Sequence, residues 1–242
     1  MIGSILNAAG IVVGGCVGLA RRQPLSAATE SYFKVGLSAF TVFYGLRLTW
    51  TSISGSFSAI LKQLAIVLVA LILGRLVGRT LRLQALSNRL GQRARARIAG
   101  ARSDDPDRFN RGFQTCAALF CASPLGILGS LQEGLTLSEY FYPLAIKAMI
   151  DGLATAGFVA IFGPGVLLSA LPVLALQGTM TLVVARGFEP VLASHNLIDP
   201  INAVGGLLVF CVALVMLNLK RIELADYLPG VLVAPLLALW WR

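Results

Sequence analysis

Charge is scarce in this sequence. Only 13% of its residues are Asp, Glu, Lys or Arg, where a soluble domain carries about 25%. With 57% of 242 residues hydrophobic, too few polar side chains remain to cover a soluble surface. An ordinary soluble globular domain is excluded. Acidic residues are scarcer than basic ones, 11 against 20. Histidine occurs once, as His195. A single histidine excludes an H-E-x-x-H zinc motif, and the chain order recommends no Ser-His-Asp constellation. The four cysteines, Cys16, Cys116, Cys121 and Cys211, lie in apolar runs and form no C-x-x-C pair. They read as small buried hydrophobes rather than zinc or redox ligands. No P-loop is present. The chain is therefore expected not to be an enzyme, and to need neither cofactor nor metal. The apolar run from Ile2 has no basic stretch before it and ends at Arg21-Arg22, so a cleavable signal peptide is not expected.

What the chain has in abundance is long apolar runs, and its mean hydropathy is +0.80. A membrane helix needs about 20 mostly apolar residues. Eight candidate runs are Ile2–Ala20, Phe33–Trp50, Phe57–Val77, Gly112–Leu131, Tyr140–Phe162, Gly165–Ala185, Ile201–Leu219 and Leu228–Trp241. The second and eighth are the shortest or most polar, so a count of seven stays open. The expected fold is all-α, a polytopic transmembrane bundle of seven to eight spans. Its expected organisation is a first helix group over 1–78, a basic segment over 79–111 and a second helix group over 112–242. Asn7-Ala8-Ala9-Gly10 echoes Asn202-Ala203-Val204-Gly205. An internal repeat, common in transporters, and chance similarity between apolar helices both explain that echo.

The net charge of +9 is concentrated between Arg75 and Arg111. Lys and Arg are retained on the cytoplasmic side of a membrane. With the N-terminus outside, Arg21-Arg22, the Arg75–Arg111 segment and Lys220-Arg221 all fall inside, and both termini are outside. Nucleic acid is not expected as a partner. Leu76, Leu83 and Leu90 recur every seven residues, flanked by Arg79, Arg82, Arg89 and Arg93. This predicts a basic amphipathic helix continuing from the third span. It could lie on anionic lipid headgroups, each Arg contributing roughly 1 kcal/mol, or pack its Leu stripe on a twin helix of another subunit.

Gly10, Gly14 and Gly18 share one helix face, as do Gly74 and Gly78. Small residues at this spacing let helix backbones approach closely, within one chain or between the subunits of a homodimer. Lys147 and Asp151 are one turn apart and face the same way. A lone charge at mid-bilayer costs about 2.5–3.5 kcal/mol on insertion scales, so such groups face a cavity or a partner. Asp151, Lys147, Glu133, Gln132, Gln177, Asn7 and Asn202 are the candidate ion- or solute-binding residues. A purely structural Lys147–Asp151 pair is the rival reading. Pro124 and Pro172 each remove a helix hydrogen bond, and broken helices form many midplane solute sites.

The segments Ile2-Gly3-Ser4-Ile5-Leu6-Asn7, Gly112-Phe113-Gln114-Thr115-Cys116-Ala117, Gly129-Ser130-Leu131-Gln132-Glu133-Gly134-Leu135 and Lys147-Ala148-Met149-Ile150-Asp151-Gly152 resemble domain of unknown function 554. This is the YqgA/YdfK-like group of bacterial inner-membrane proteins. Gln177-Gly178-Thr179-Met180-Thr181-Leu182 and Asn202-Ala203-Val204-Gly205-Gly206 extend the resemblance along the chain, while Pro124 departs from the family pattern. The resemblance implies a polytopic inner-membrane protein and supplies no substrate. With the polar residues above, it leaves two expectations: a channel or secondary transporter for a small solute or ion, or a non-transporting scaffold or assembly factor.

Overall fold

The computed structural model describes residues 1–21, 26–101, 106–135 and 141–241. Arg22, Ser103, Glu139 and Tyr140 lie outside the described residues. Every regular element among those described is helical, as the unbroken apolar runs require: a bilayer offers no water to satisfy backbone groups, and a helix satisfies them within itself. In chain order the helices are α1 (Ile2–Ala20), α2 (Ala27–Thr51), α3 (Phe57–Thr80), α4 (Leu83–Ala99), α5 (Arg108–Cys121), α6 (Pro124–Leu135) and α7 (Tyr142–Phe162). A 3₁₀ segment, Pro164–Ser169, leads into α8 (Ala170–Val183). A π turn over Val184–Phe188 leads into α9 (Glu189–Ser194). Then come α10 (Ile198–Met216), α11 (Leu224–Tyr227) and α12 (Gly230–Trp240).

Among the described residues, five helical runs are long and apolar enough to cross a membrane: α1, α3, α7, Pro164–Ser194 and α10. The pair α5 and α6, bent by 56°, makes a sixth if it is one span. Two of the eight expected runs fall outside these limits of length and composition. The second run is a helix of 25 residues, but Glu30, Lys34 and Arg47 interrupt its apolar character. The eighth, Leu224–Trp240, is shorter than a full span. Seventeen residues of helix rise about 26 Å, against a hydrocarbon core of about 30 Å.

The chain divides into two compact units. Unit 1 comprises Met1–Glu30 and Ser87–Val184, and unit 2 Ser31–Leu86 and Ala185–Arg242. In unit 1, α1 lies along α7. The glycine face of α1 makes this approach. A Cβ on Gly10 would stand 2.5 Å from the Ala148 carbonyl oxygen, and one on Gly18 2.5 Å from that of Ala156. One on Gly14 would overlap the Gly152 carbonyl. Around this contact Ile11, Phe120, Val159, Phe162, Val166 and Val173 form the apolar core.

In unit 2, α3 packs on α11 and α12. Gly74 meets the backbone of Gly230, and Gly78 that of Asp226. Gly45 of α2 and Gly206 of α10 make a third close contact, each Cβ position 2.6 Å from the other's carbonyl oxygen. The glycine faces therefore serve packing inside each unit.

Two sequence expectations are corrected. The basic helix does not continue from α3, because Arg82 adopts φ 54° and closes α3 in the left-handed region. The chain then starts α4 afresh. The Asp226 carboxylate accepts the Gln84 N–H (2.8 Å), and Gln84 Oε1 accepts the Ala225 N–H (3.1 Å), so orphan donors at a new helix start are satisfied. Pro172 does not break its helix either. It sits in the first turn of α8, where a missing N–H costs little, and the irregular stretch lies upstream at Pro164–Ser169. At Pro124 the expected break is present, as the 56° bend between α5 and α6.

Candidate functional site

Unit 1 buries an unusual amount of polarity for a set of apolar helices. Lys147 and Asp151, 1% and 5% exposed, form an ion pair one turn apart on α7. An α-helix brings positions i and i+4 onto one face, so the pair needs no other element to form. The Lys147 ammonium also stands 5.7 Å from the centre of the Phe120 ring, a favourable cation–π distance. The Asn7 side chain of α1 lies beside Asp151.

Asn7 joins this pair to α8. Its Nδ2 donates to Gln177 Oε1 at 3.0 Å, and both amides are buried. Among the described residues, Asn7 Oδ1 and Gln177 Nε2 have no hydrogen-bond partner, which leaves one buried acceptor and one buried donor unfilled. A buried polar group without a partner costs about 1–3 kcal/mol. Gly126 of α6 closes the other side: a Cβ there would stand 2.8 Å from Lys147 Cε and 3.0 Å from Gln177 Nε2. The first turn of α6, just after the break, is thus pressed against the Lys147 stem.

A second polar group forms around Glu133, 1% exposed. Its Oε1 accepts the Gly3 N–H at 2.6 Å, and its Oε2 accepts the hydroxyls of Ser4 (3.0 Å) and Thr181 (3.3 Å). The Met1 amino nitrogen lies 3.2 Å from Oε1. A carboxylate at the start of a helix satisfies its orphan donors and complements its dipole, so Glu133 anchors the start of α1. Gln132 beside it is fully buried in α6.

Of the seven candidate residues, six belong to unit 1 and Asn202 to unit 2. Asn202 is buried in α10, and among the described residues its Oδ1 has no partner. Ser4, Gly126 and Thr181 escaped the sequence reading. Thr181 was legible from spacing, since it follows Gln177 by one helical turn. Thr179, between them in the same motif, is exposed. Among the described residues, no three His, Cys, Asp or Glu side chains gather as metal ligands would.

Of the basic positions, Arg79 stands 3.9 Å from Glu223, with Arg75 3.6 Å from the same carboxylate. Arg82, Arg89 and Arg93 are exposed. Ala94 on α4 is buried, and Arg97 of α4 reaches the Thr115 hydroxyl of α5 at 3.5 Å.

Apolar helices of spanning length around a sealed polar core define a helical membrane protein. This chain belongs to the family described as "Protein of unknown function (DUF554)", which matches residues 2–239, as the sequence resemblance implied. It is similar to the "Uncharacterized membrane protein YdfK" of Bacillus subtilis (strain 168), 26% identical over 97% of this chain and 94% of that protein. It is also similar to the "Uncharacterized protein YqgA" of Escherichia coli (strain K12), 27% identical over 99% of this chain and 97% of that protein. No solved structure matches the chain.

Proposed function

We propose that unit 1 carries the solute site of a channel or secondary transporter, acting on a small ion or polar solute in the bacterial inner membrane. The observation that carries this reading is the buried Lys147–Asp151 pair beside two amide atoms left without partners, Asn7 Oδ1 and Gln177 Nε2. Ionisable groups within apolar spans are costly and mark ion or proton pathways. In this reading Asp151 binds the cation or proton, and Lys147 neutralises it when the site is empty. Asn7 and Gln177 offer the remaining hydrogen bonds. Glu133 and Gln132 line the same path farther along α6, and the α5–α6 break gives the site a hinge. The cytoplasmic side is the end of unit 2 at which Arg75 and Arg79 meet Glu223, with both termini outside by the positive-inside rule. The exposed Arg82, Arg89 and Arg93 would then face anionic lipid.

The scaffold reading has its own support. Lys147 and Asp151 neutralise each other within one helix, and Glu133 is engaged in holding α1. Flux measurements in proteoliposomes under H⁺, Na⁺ and K⁺ gradients separate the two. Transport through this site gives a flux with one of these ions that Asp151→Asn abolishes while the purified protein keeps its size and melting temperature. A flux that survives the substitution removes Asp151 from the mechanism, and absence of flux under every gradient favours the scaffold.

A further inference from the structure

Unit 2 contains a pocket of about 350 Å³ at the junction of α2, α3, α10 and α12. It lies toward the start of α3, at Lys62. Arg79 is 17 residues farther along that helix, about 26 Å at 1.5 Å per residue. The pocket is therefore far along α3 from Arg79. Its size is at the small end of the range for ligand cavities, about 300–1,000 Å³.

Lys62 and Asp199 both line it. Lys62 is half-buried and Asp199 is exposed. Among the described residues neither side chain makes a hydrogen bond or ion pair, with each other or with any third group. In unit 1 the opposite charges Lys147 and Asp151 meet as a pair. Here Lys62 and Asp199 are held apart on separate helices, α3 and α10. Gln63, on the same wall, is already committed: it accepts the Ser54 N–H and donates to the Ser54 carbonyl, both at 3.0 Å. Ser52 and Asn196 add polar groups, and Val67, Ala203 and Ala238 make an apolar wall.

We propose that this pocket binds a small zwitterion, its anionic end on Lys62 and its ammonium on Asp199. Such a ligand satisfies two charges that the protein leaves unpaired, and charge-assisted hydrogen bonds at both ends orient it. The apolar wall leaves room for a small side chain only. This chemistry has two sources at a membrane surface: a free amino acid, or the ammonium–phosphate headgroup of phosphatidylethanolamine. The proposal is independent of the transport reading of unit 1.

The test is titration calorimetry on the full chain in detergent. The probes are glycine, L-alanine and L-serine in one arm and glycerophosphoethanolamine in the other. Propionate and propylamine supply each charge alone. Saturable binding is expected in one arm, and that arm names the source. Each single-charge probe should bind at least about tenfold more weakly, the scale of one lost charge-assisted hydrogen bond. Lys62→Gln and Asp199→Asn should each weaken binding to the same extent, and Glu223→Gln, beside Arg79, should leave it unchanged. Failure of both arms to bind the native chain overturns the proposal. So does binding that is indifferent to both pocket substitutions in protein of native size and melting temperature.

Discussion

The two units are packed alike and filled differently. Each brings helix backbones into contact through glycines, Gly10, Gly14 and Gly18 against α7 in unit 1, and Gly74 and Gly78 against α11 and α12 in unit 2. Their polar content diverges. Unit 1 buries Asn7, Gln132, Glu133, Lys147, Asp151 and Gln177. Unit 2 buries one carboxylate, Asp226, which is spent on starting α4. Of its other charges, Lys62 and Asp199 line a pocket, and Arg75 and Arg79 stand beside Glu223. Close glycine packing is thus the common construction, needed wherever helices associate without a hydrophobic driving force. The buried pair of opposite charges belongs to unit 1, and it is there that a cost in stability asks for a functional return.

The largest effect should come from splitting the charge pair. Lys147→Ala leaves Asp151 buried without its cation, and breaking a buried pair costs about 3–5 kcal/mol. Thermal unfolding in detergent should show the loss. The double change Lys147→Met with Asp151→Leu should recover most of it, because no buried charge is left. If Lys147→Ala unfolds like the native chain, the charges are hydrated and the contrast between the units disappears.

An intermediate effect tests the shared construction. Gly14→Ala and Gly78→Ala each place a methyl group in the backbone of a neighbouring helix. Overpacking of this kind costs about 1–3 kcal/mol. Comparable drops in melting temperature are expected for the two variants. A loss confined to one of them would show that only one unit depends on close packing.

The smallest effect should come from the exposed end of unit 2. Arg79→Gln removes a contact of 3.9 Å between side chains 58% and 47% exposed, and exposed pairs contribute about 0–1 kcal/mol. The melting temperature should barely move. A large drop would mean that this end of α3 is held by charge rather than by Gly74 and Gly78.

Much of this was legible in the chain. The Lys147–Asp151 pair, the α1 glycine face and the break at Pro124 are local patterns, each contained within a turn or two of helix. The end of α3 was not legible. The heptad Leu76, Leu83 and Leu90 continues smoothly through Arg82, and nothing nearby announces a left-handed residue there. What stabilises the break is Asp226, 142 positions from Gln84. The pairing of Asn7 with Gln177, 170 positions apart, is similarly remote. The pocket between Lys62 and Asp199 is likewise assembled from separate helices.

The amino-acid sequence by itself determined that the protein is helical and belongs in a membrane, because hydropathy and helical periodicity are properties of short stretches. It also determined which faces could pack tightly and which two charges on α7 would meet, since the α-helix imposes those relations at three- and four-residue spacing. Only the tertiary structure decided which helices share a unit, and that Glu133 holds the start of α1. It alone left amide atoms of Asn7 and Gln177 without partners. Those outcomes depend on where distant segments come to rest, and that is set by the packing of whole helices against one another.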